Sequence, residues 1–233
     1  MTRHELKEQL QHDQFTDTVS NALGYANTHR QQVVRWAALG IAVLAIGSLL
    51  IWYMSYRKSV RQQDLNAALA VVDAQVGPHN EYVRTFNTAE EKRDAALKAL
   101  SNVVAKDGGT REGYIAQYYR GTLRAQKNDN AGAESDLRAV ADSHSETAAL
   151  AKIALAHLFV ASNKTAQAQD LLRSIVNKPT DLVSRAHAEV LLAQLDESFN
   201  PKESKRILQT LKKPGESAAV SRAADQLSAQ LAK

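Results

Sequence analysis

Residues 121–140 read GTLRAQKNDNAGAESDLRAV, and residues 156–175 read AHLFVASNKTAQAQDLLRSI. Each stretch begins with a small residue, contains an asparagine in a polar segment, and ends in the pattern small, then apolar four residues later, then apolar three residues after that. Residues four and three positions apart lie on one face of a helix. Each stretch therefore predicts two helices that are joined by a short turn.

The terminal pattern of these stretches occurs four times along the chain. The copies are Ala96-Leu100-Val103, Ala133-Leu137-Val140, Ala168-Leu172-Ile175 and Ser204-Leu208-Leu211. Their offsets are 37, 35 and 36 residues, close to the period of about 34 residues in tetratricopeptide (TPR) repeats. Stacked hairpins bury the apolar face that one hairpin leaves open. The spacing favours an all-α, TPR-like α-hairpin solenoid. A generic α-hairpin stack is the alternative, since no copy has the Trp that starts a typical TPR unit.

Short polar turns and helix caps predict where the helices begin and end. An apolar stripe predicts a helix over 57–76, and the capping box Thr88-x-x-Glu91 predicts the start of a helix that stops at Gly108-Gly109. The remaining predicted helices are 111–127, 130–142, 145–162, 164–177, 180–197, 201–212 and 216–232. No stretch alternates in polarity for long enough to predict a strand.

An uncharged segment, WAALGIAVLAIGSLLIWYMSY, occupies residues 36–56. As a helix, its 21 residues span about 31 Å, and the hydrocarbon core of a bilayer is about 30 Å thick. Aromatic rings favour the membrane–water interface, and the candidate interface anchors at the two ends are Trp36, Trp52, Tyr53 and Tyr56. The segment predicts one uncleaved transmembrane helix in contact with the lipid bilayer.

Four parts follow from these patterns. They are an N-terminal tail (1–35), a transmembrane helix (36–56), a membrane-proximal helix and linker (57–87), and a TPR-like repeat domain with a C-terminal capping helix (88–233). The tail fits either an amphipathic helix or a loosely ordered segment. The cationic residues on the two sides of the span are nearly balanced, so they leave the membrane orientation open.

Composition and motifs argue against catalysis and ligand chemistry. The chain has no cysteine, which excludes disulfides and thiolate metal sites. Its seven histidines lack metal-ligand spacing, and no nucleophile elbow, P-loop or dinucleotide motif occurs. The net charge of +4 is a small excess among interspersed positive and negative residues, and no concentrated basic stripe occurs. This pattern disfavours a nucleic-acid partner. We predict no enzyme activity, catalytic residue, metal, cofactor, small-molecule substrate or nucleic-acid partner.

One predicted helix carries the best candidate surface for a protein partner. Its candidate partner-binding residues are Tyr114, Tyr118, Tyr119, Arg120 and Arg124. The first helices of TPR hairpins line the concave face, and Tyr and Arg are enriched at binding hot spots. Packing of Tyr114 and Tyr118 inside the hairpin is an equal alternative. His157 and His187 lie on first helices of neighbouring hairpins and are expected to be polar groove or packing residues.

The arrangement as a whole resembles the bacterial ancillary subunit of the SecYEG translocon, a TPR protein anchored by one N-terminal helix. The resemblance lies in the tail, the uncharged span with its Trp52-Tyr53-x-x-Tyr56 exit, the next amphipathic helix, and the repeats from about Asp94 to Leu211. Membership would imply a bacterial inner-membrane protein with a cytoplasmic N terminus and a periplasmic C-terminal domain. It would also imply contact with translocon subunits, chaperones and translocated client chains.

These observations predict a membrane-tethered scaffold for protein–protein interactions. The alternative is a structural accessory subunit of another membrane complex, held mainly by its transmembrane helix. Gly40 and Gly47 are seven residues apart and lie roughly on one face of that helix, where small residues allow a second helix to approach closely.

Overall fold

The computed structural model describes residues 30–78, 84–211 and 218–230, and this part of the chain is almost entirely helical. Its elements in chain order are α1 (Arg30–Val72), β1 (Gln75–Val76), β2 (Thr85–Phe86), α2 (Ala89–Asp107), α3 (Arg111–Gln126), α4 (Asn130–Ala141), α5 (Ala148–Ala161), α6 (Thr165–Asn177), α7 (Arg185–Phe199), α8 (Pro201–Leu211) and α9 (Ala218–Gln230). The predicted all-α class is confirmed. The apolar pattern predicted for the tail lies outside the described residues.

Helix α1 is a single element of 43 residues. Among the described residues, it holds the one stretch, Val34–Val72, that is long and apolar enough to cross a membrane. The apolar side chains of the predicted span are exposed in the isolated chain, with Trp36 at 74%. The helix begins at Arg30, before the predicted span, and continues beyond Tyr56 without a break. The predicted membrane-proximal helix is therefore the last part of α1 and not a separate element.

Two predictions for the segment that follows the span were wrong: the helix was predicted to continue to residue 76, and no strand was predicted. Helix α1 ends at Val72 rather than at residue 76, and β1 then pairs in parallel with β2. The N–H of Gln75 donates to the Arg84 carbonyl at 3.1 Å, and the N–H of Gly77 donates to the Phe86 carbonyl at 3.0 Å. Each strand has two residues, which is too short for an alternating pattern to reveal.

The chain divides into two compact units between Ser59 and Val60. In the second unit, residues 60–72 of α1 act as the partner of α2. Leu65, Ala68 and Val71 pack in one apolar cluster with buried residues of α2 and α3, among them Leu100. Two ion pairs add to this packing: Arg61 with the buried Glu112 on α3, at 3.4 Å, and Lys106 on α2 with Asp64.

The remaining helices stack as consecutive hairpins. Helix α3 packs on α4, α5 on α6, and α7 on α8, while α4–α5 and α6–α7 contacts join neighbouring hairpins and α9 packs on α7 and α8. All twelve residues of the four repeated patterns are buried, and none is more than 4% exposed. The 35–37-residue spacing therefore marks the core positions of the second helix in each hairpin.

Small residues and left-handed asparagines shape the hairpins. A Cβ at Gly121 would lie 2.9 Å from Leu137 Cγ and 3.2 Å from Asp136 Cβ, so α3 approaches α4 more closely than a larger residue would allow. The turns after α3 and α5 place Asn128 at φ 61° and Asn163 at φ 58°. Asparagine tolerates this region better than most residues do. The predicted turns are confirmed at both positions.

Two predicted helix starts were too early. Helix α5 begins at Ala148 rather than at residue 145, because the hydroxyls of Ser143, Ser145 and Thr147 bond to one another and hold a polar turn. Helix α7 begins at Arg185 rather than at residue 180. Ser184 caps it by accepting from the His187 N–H at 3.2 Å, and the preceding turn buries Val183.

An ion pair on the surface links two hairpins. The Glu134 carboxylate on α4 accepts from Arg138 at 2.8 Å and from Lys164, which precedes α6, at 3.2 Å. The Arg138 hydrogen bond, and then that of Lys164, lower the pKa of Glu134. A carboxyl with a lowered pKa in the folded state stabilises the fold above its ordinary pKa, and this contribution is lost as the pH falls through the lowered pKa.

Candidate partner-binding surface

The five residues predicted to bind a partner all lie on α3. Thr110 caps this helix by accepting from the Gly113 N–H at 3.1 Å. One face of α3 supplies Ala116 and Leu123 to the cluster shared with α1 and α2. Another face meets α4 at Gly121, and α3 also contacts α5, the first helix of the next hairpin. The five predicted residues are distributed around the rest of the helix, and most of them take part in its contacts with the neighbouring helices.

The tyrosines differ in their exposure. Tyr114 and Tyr118 are partly buried and pack against the main core, which is the contact that the packing alternative expects. Tyr119 is 36% exposed, and its ring meets that of Tyr118 edge to face at 5.5 Å. Burial first, and the neighbouring Tyr119 second, raise the pKa of the Tyr118 hydroxyl. That hydroxyl therefore stays protonated to a higher pH than the hydroxyl of an exposed tyrosine does.

The two arginines hold a buried carboxylate on α4. Arg120 forms a two-point contact with Asp136, with Nε to Oδ2 at 2.8 Å and Nη2 to Oδ1 at 2.5 Å. Arg124 Nη1 also reaches Asp136 Oδ2, at 3.0 Å, and Gln117 Nε2 donates to Oδ1 at 3.3 Å. Asp136 is only 3% exposed. The guanidinium groups of Arg120 and Arg124 therefore fasten α3 to α4. Of the three tyrosines predicted to bind a partner, Tyr119 is the most exposed.

Asp136 itself was missed by the sequence analysis. It directly precedes Leu137, on the face of α4 that the repeat pattern assigns to the core. Charged residues are almost never buried without a partner, so an acidic residue beside a core position is a signal for a cation on a neighbouring helix. Arg120 and Arg124 supply that cation from α3.

Tyr114 also lines a groove at the start of α3. This groove has a volume of about 420 Å³, and its other lining residues are Gly109, Arg111, His144, Ser145 and Glu146. Arg111 Nη2 and Glu146 Oε2 form an ion pair across it at 3.0 Å. The groove is therefore lined mostly by polar and charged side chains, with the phenol ring of Tyr114 among them.

A more apolar cleft lies between α5, α6 and α7. Its volume is about 260 Å³, and it is lined by Ala156, His157, Val160, Leu172, Leu191, Gln194, Leu195, Ser198 and Phe199. His157, which the sequence predicted to be a polar groove or packing residue, is one of the residues that line this cleft. The other lining residues were missed as a group, because those on α7 belong to the next hairpin and meet α5 and α6 only when the hairpins stack.

Comparisons with known proteins bear on the repeats and on α1. A model of the tetratricopeptide repeat-like domain matches residues 34–179. The match begins in α1 and ends just after α6. No curated protein matches the chain.

Among the described residues, no three His, Asp or Glu side chains are grouped so that they could hold a metal ion.

Proposed function

Because the chain belongs to the tetratricopeptide repeat-like domain family, we propose that it is a membrane-tethered scaffold that binds other proteins through its repeats. The observation that carries this proposal is the composition of α1. Its N-terminal part is apolar, exposed and long enough to cross a membrane, while Leu65, Ala68 and Val71 near its C-terminal end belong to the core of the repeats. One helix thus supplies both the anchor and the first helix of the solenoid.

The proposed scaffold makes and breaks no covalent bond. Each hairpin presents its first helix beside that of the next hairpin, which is the arrangement in which repeat proteins hold partner segments. Tyr119 on α3 and the α5–α7 cleft are the exposed apolar features of these helices. The anchor would confine them near the membrane and so raise their effective concentration for membrane partners.

The proposed location is the bacterial inner membrane at the Sec translocon. In this arrangement the N terminus is cytoplasmic, residues 36–56 cross the bilayer, and the repeats lie in the periplasm. There they would link translocated client chains to periplasmic chaperones. The support is the resemblance in layout to the ancillary translocon subunit, together with the aromatic side chains at both ends of the span.

A structural accessory subunit is the second candidate. It is favoured by the open surface around two glycines of α1, since a Cβ at either Gly40 or Gly47 would meet nothing within 4 Å. Small residues on an exposed apolar helix permit close contact with another transmembrane helix. In this case the span, rather than the repeats, would make the main contact.

Exchanging the anchor distinguishes the two candidates. We expect a chain whose residues 36–56 are replaced by an unrelated transmembrane helix to co-purify the same partners, translocon subunits among them, as the native chain. In the native anchor, Tyr119→Ser is expected to reduce recovery of at least one partner, because Tyr119 is exposed on α3. Loss of all partners on exchange, with full recovery in Tyr119→Ser, would instead support the structural subunit.

A further inference from the structure

A groove of about 550 Å³ runs along the first hairpin, between the C-terminal part of α1 and α2. Its lining residues extend from Asp64 to Val71 on α1 and from Ala95 to Lys106 on α2, and on both helices they follow the spacing i, i+3, i+4, i+7. Residues at this spacing form a stripe along one face of a helix. This first-hairpin groove is therefore an elongated trough between two helical stripes, and it lies within one hairpin rather than between neighbouring hairpins.

The shape of the first-hairpin groove suits a third helix. Residues 95 to 106 of α2 span about 16 Å, or three helical turns. Four of the lining residues are alanines, two on each helix: Ala67 and Ala68 on α1, and Ala95 and Ala99 on α2. Packed helices lie about 8–10 Å apart, according to the size of the side chains between them. Alanine walls allow a short separation, so the groove favours a helix whose contact face is also built of small residues.

The groove carries an excess of positive charge. Its charged lining residues are Arg84, Lys98 and Lys106 against the single carboxylate of Asp64, which pairs with Lys106. In the part of the chain that the structure describes, no carboxylate forms an ion pair with Lys98 or Arg84, and both residues are exposed. Two cations are therefore available to carboxylates of a partner.

The same charges disfavour a second copy of the chain as the occupant. In a symmetric dimer formed through this groove, Lys98 and Arg84 of the two copies would approach one another. Like charges brought together across an interface cost several kcal/mol. A partner with the opposite charge gains the attraction instead, and its approach to the groove is accelerated.

We propose that the first-hairpin groove binds an acidic amphipathic α-helix of a partner protein, with Ala or Gly on the face toward the groove and Glu or Asp at its flanks. The inference rests on the proposed scaffold function and names the kind of segment that the partner supplies. The flanking carboxylates pair with Lys98 and Arg84, while the small residues lie against the alanines of α1 and α2.

Peptide binding to the full-length protein in nanodiscs of zwitterionic lipid tests the chemistry of the occupant. The probes are three fluorescent peptides of one length: a helix with an alanine face flanked by Glu, the same helix with Lys in place of Glu, and a peptide of the first composition with Glu moved onto the alanine face. We expect the first peptide alone to bind, and its affinity to fall as salt screens the charges.

Two pairs of variants locate the binding site. Lys98→Glu is expected to weaken the acidic peptide by about tenfold or more, while Lys202→Glu makes the same change of charge at an exposed position outside the groove and should leave binding unchanged. Ala67→Trp fills the groove from an exposed position and should abolish binding. Its control is Ala70→Trp, at an exposed position of α1 that does not line the groove. Circular dichroism verifies that each variant is folded.

Three results would overturn the assignment. The first is equal weakening by Lys98→Glu and Lys202→Glu, and the second is binding of the basic peptide as tightly as the acidic one. The third is no peptide binding together with self-association, or labelling of α2 by a photoreactive anionic lipid, which would make a second copy or a lipid the occupant. Partner co-purification is measured separately. A chain that binds the acidic peptide through the groove but co-purifies no membrane partner refutes the proposed scaffold and leaves the groove assignment intact.

Discussion

Asp136→Ala is expected to destabilise the repeat domain by about 3 kcal/mol, since removing one member of a buried ion pair leaves the other without compensation. Asp136 is 3% exposed and receives hydrogen bonds from Arg120, Arg124 and Gln117. In the variant, two cationic groups on α3 lose the carboxylate that holds them against α4. Urea unfolding of the full-length chain in detergent, followed by far-ultraviolet circular dichroism, measures the loss.

Glu134→Gln is the matched control on the same helix. Glu134 also contacts two cations, Arg138 and Lys164, but its side chain is 30% exposed. Exposed ion pairs contribute less than about 1 kcal/mol, so this variant should remain close to the wild-type chain. If both substitutions have equally small effects, Asp136 does not fasten α3 to α4 in the way that the contacts indicate.

The second large effect is expected for Leu137→Ala, at about 3 kcal/mol. Leu137 is 1% exposed, and it lies on α4 directly against Gly121 of α3. Truncation removes buried apolar area and leaves a cavity at the contact between the two helices. The same unfolding experiment measures the loss, and Leu182→Ala, at an exposed position, should change stability by less than about 0.5 kcal/mol.

A double substitution tests the contact between Gly121 and Leu137 directly. A Cβ at position 121 would lie 2.9 Å from Leu137 Cγ, so Gly121→Ala alone should destabilise the chain by about 1–3 kcal/mol through overpacking. In the Leu137→Ala background the two nearest colliding atoms, Leu137 Cγ and Cδ2, are gone, and Asp136 Cβ at 3.2 Å is the close neighbour that remains. The same change should then cost much less, because the two positions are coupled. Additive effects would show that the two residues do not share this space.

The sequence predicted those features of the fold that repeat. The spacing from Ala96 to Leu211 identified the buried face of the second helix in four hairpins, and all twelve of its residues are buried. Short polar segments at Asn128 and Asn163 identified turns, and asparagine adopts the left-handed backbone found there at low cost. Thr88 identified a helix start because its side chain accepts from the Glu91 N–H at 3.0 Å. Each of these signals is local or periodic.

The features that were missed depend on contacts between distant segments. The pairing of Gln75 with Thr85 joins two strands of two residues each, and a pattern of two residues is too short to encode it. The partners of Asp136 lie 12 and 16 residues away on another helix. The cleft brings Val160 and Phe199 together from two hairpins. Sequence reasoning named residues of α3 for the binding surface, and their role in binding remains a prediction.

The proposed scaffold would meet its partners on the outer side of the bacterial inner membrane. Protease digestion of intact spheroplasts, followed with an antibody against the C-terminal end of the chain, measures on which side the repeats lie. We predict that the repeats from Val60 onward are digested from outside, while a cytoplasmic control protein survives. If the repeats are protected until the membrane is broken, the C-terminal domain lies in the cytoplasm and the proposed role at the periplasmic face of the translocon is wrong.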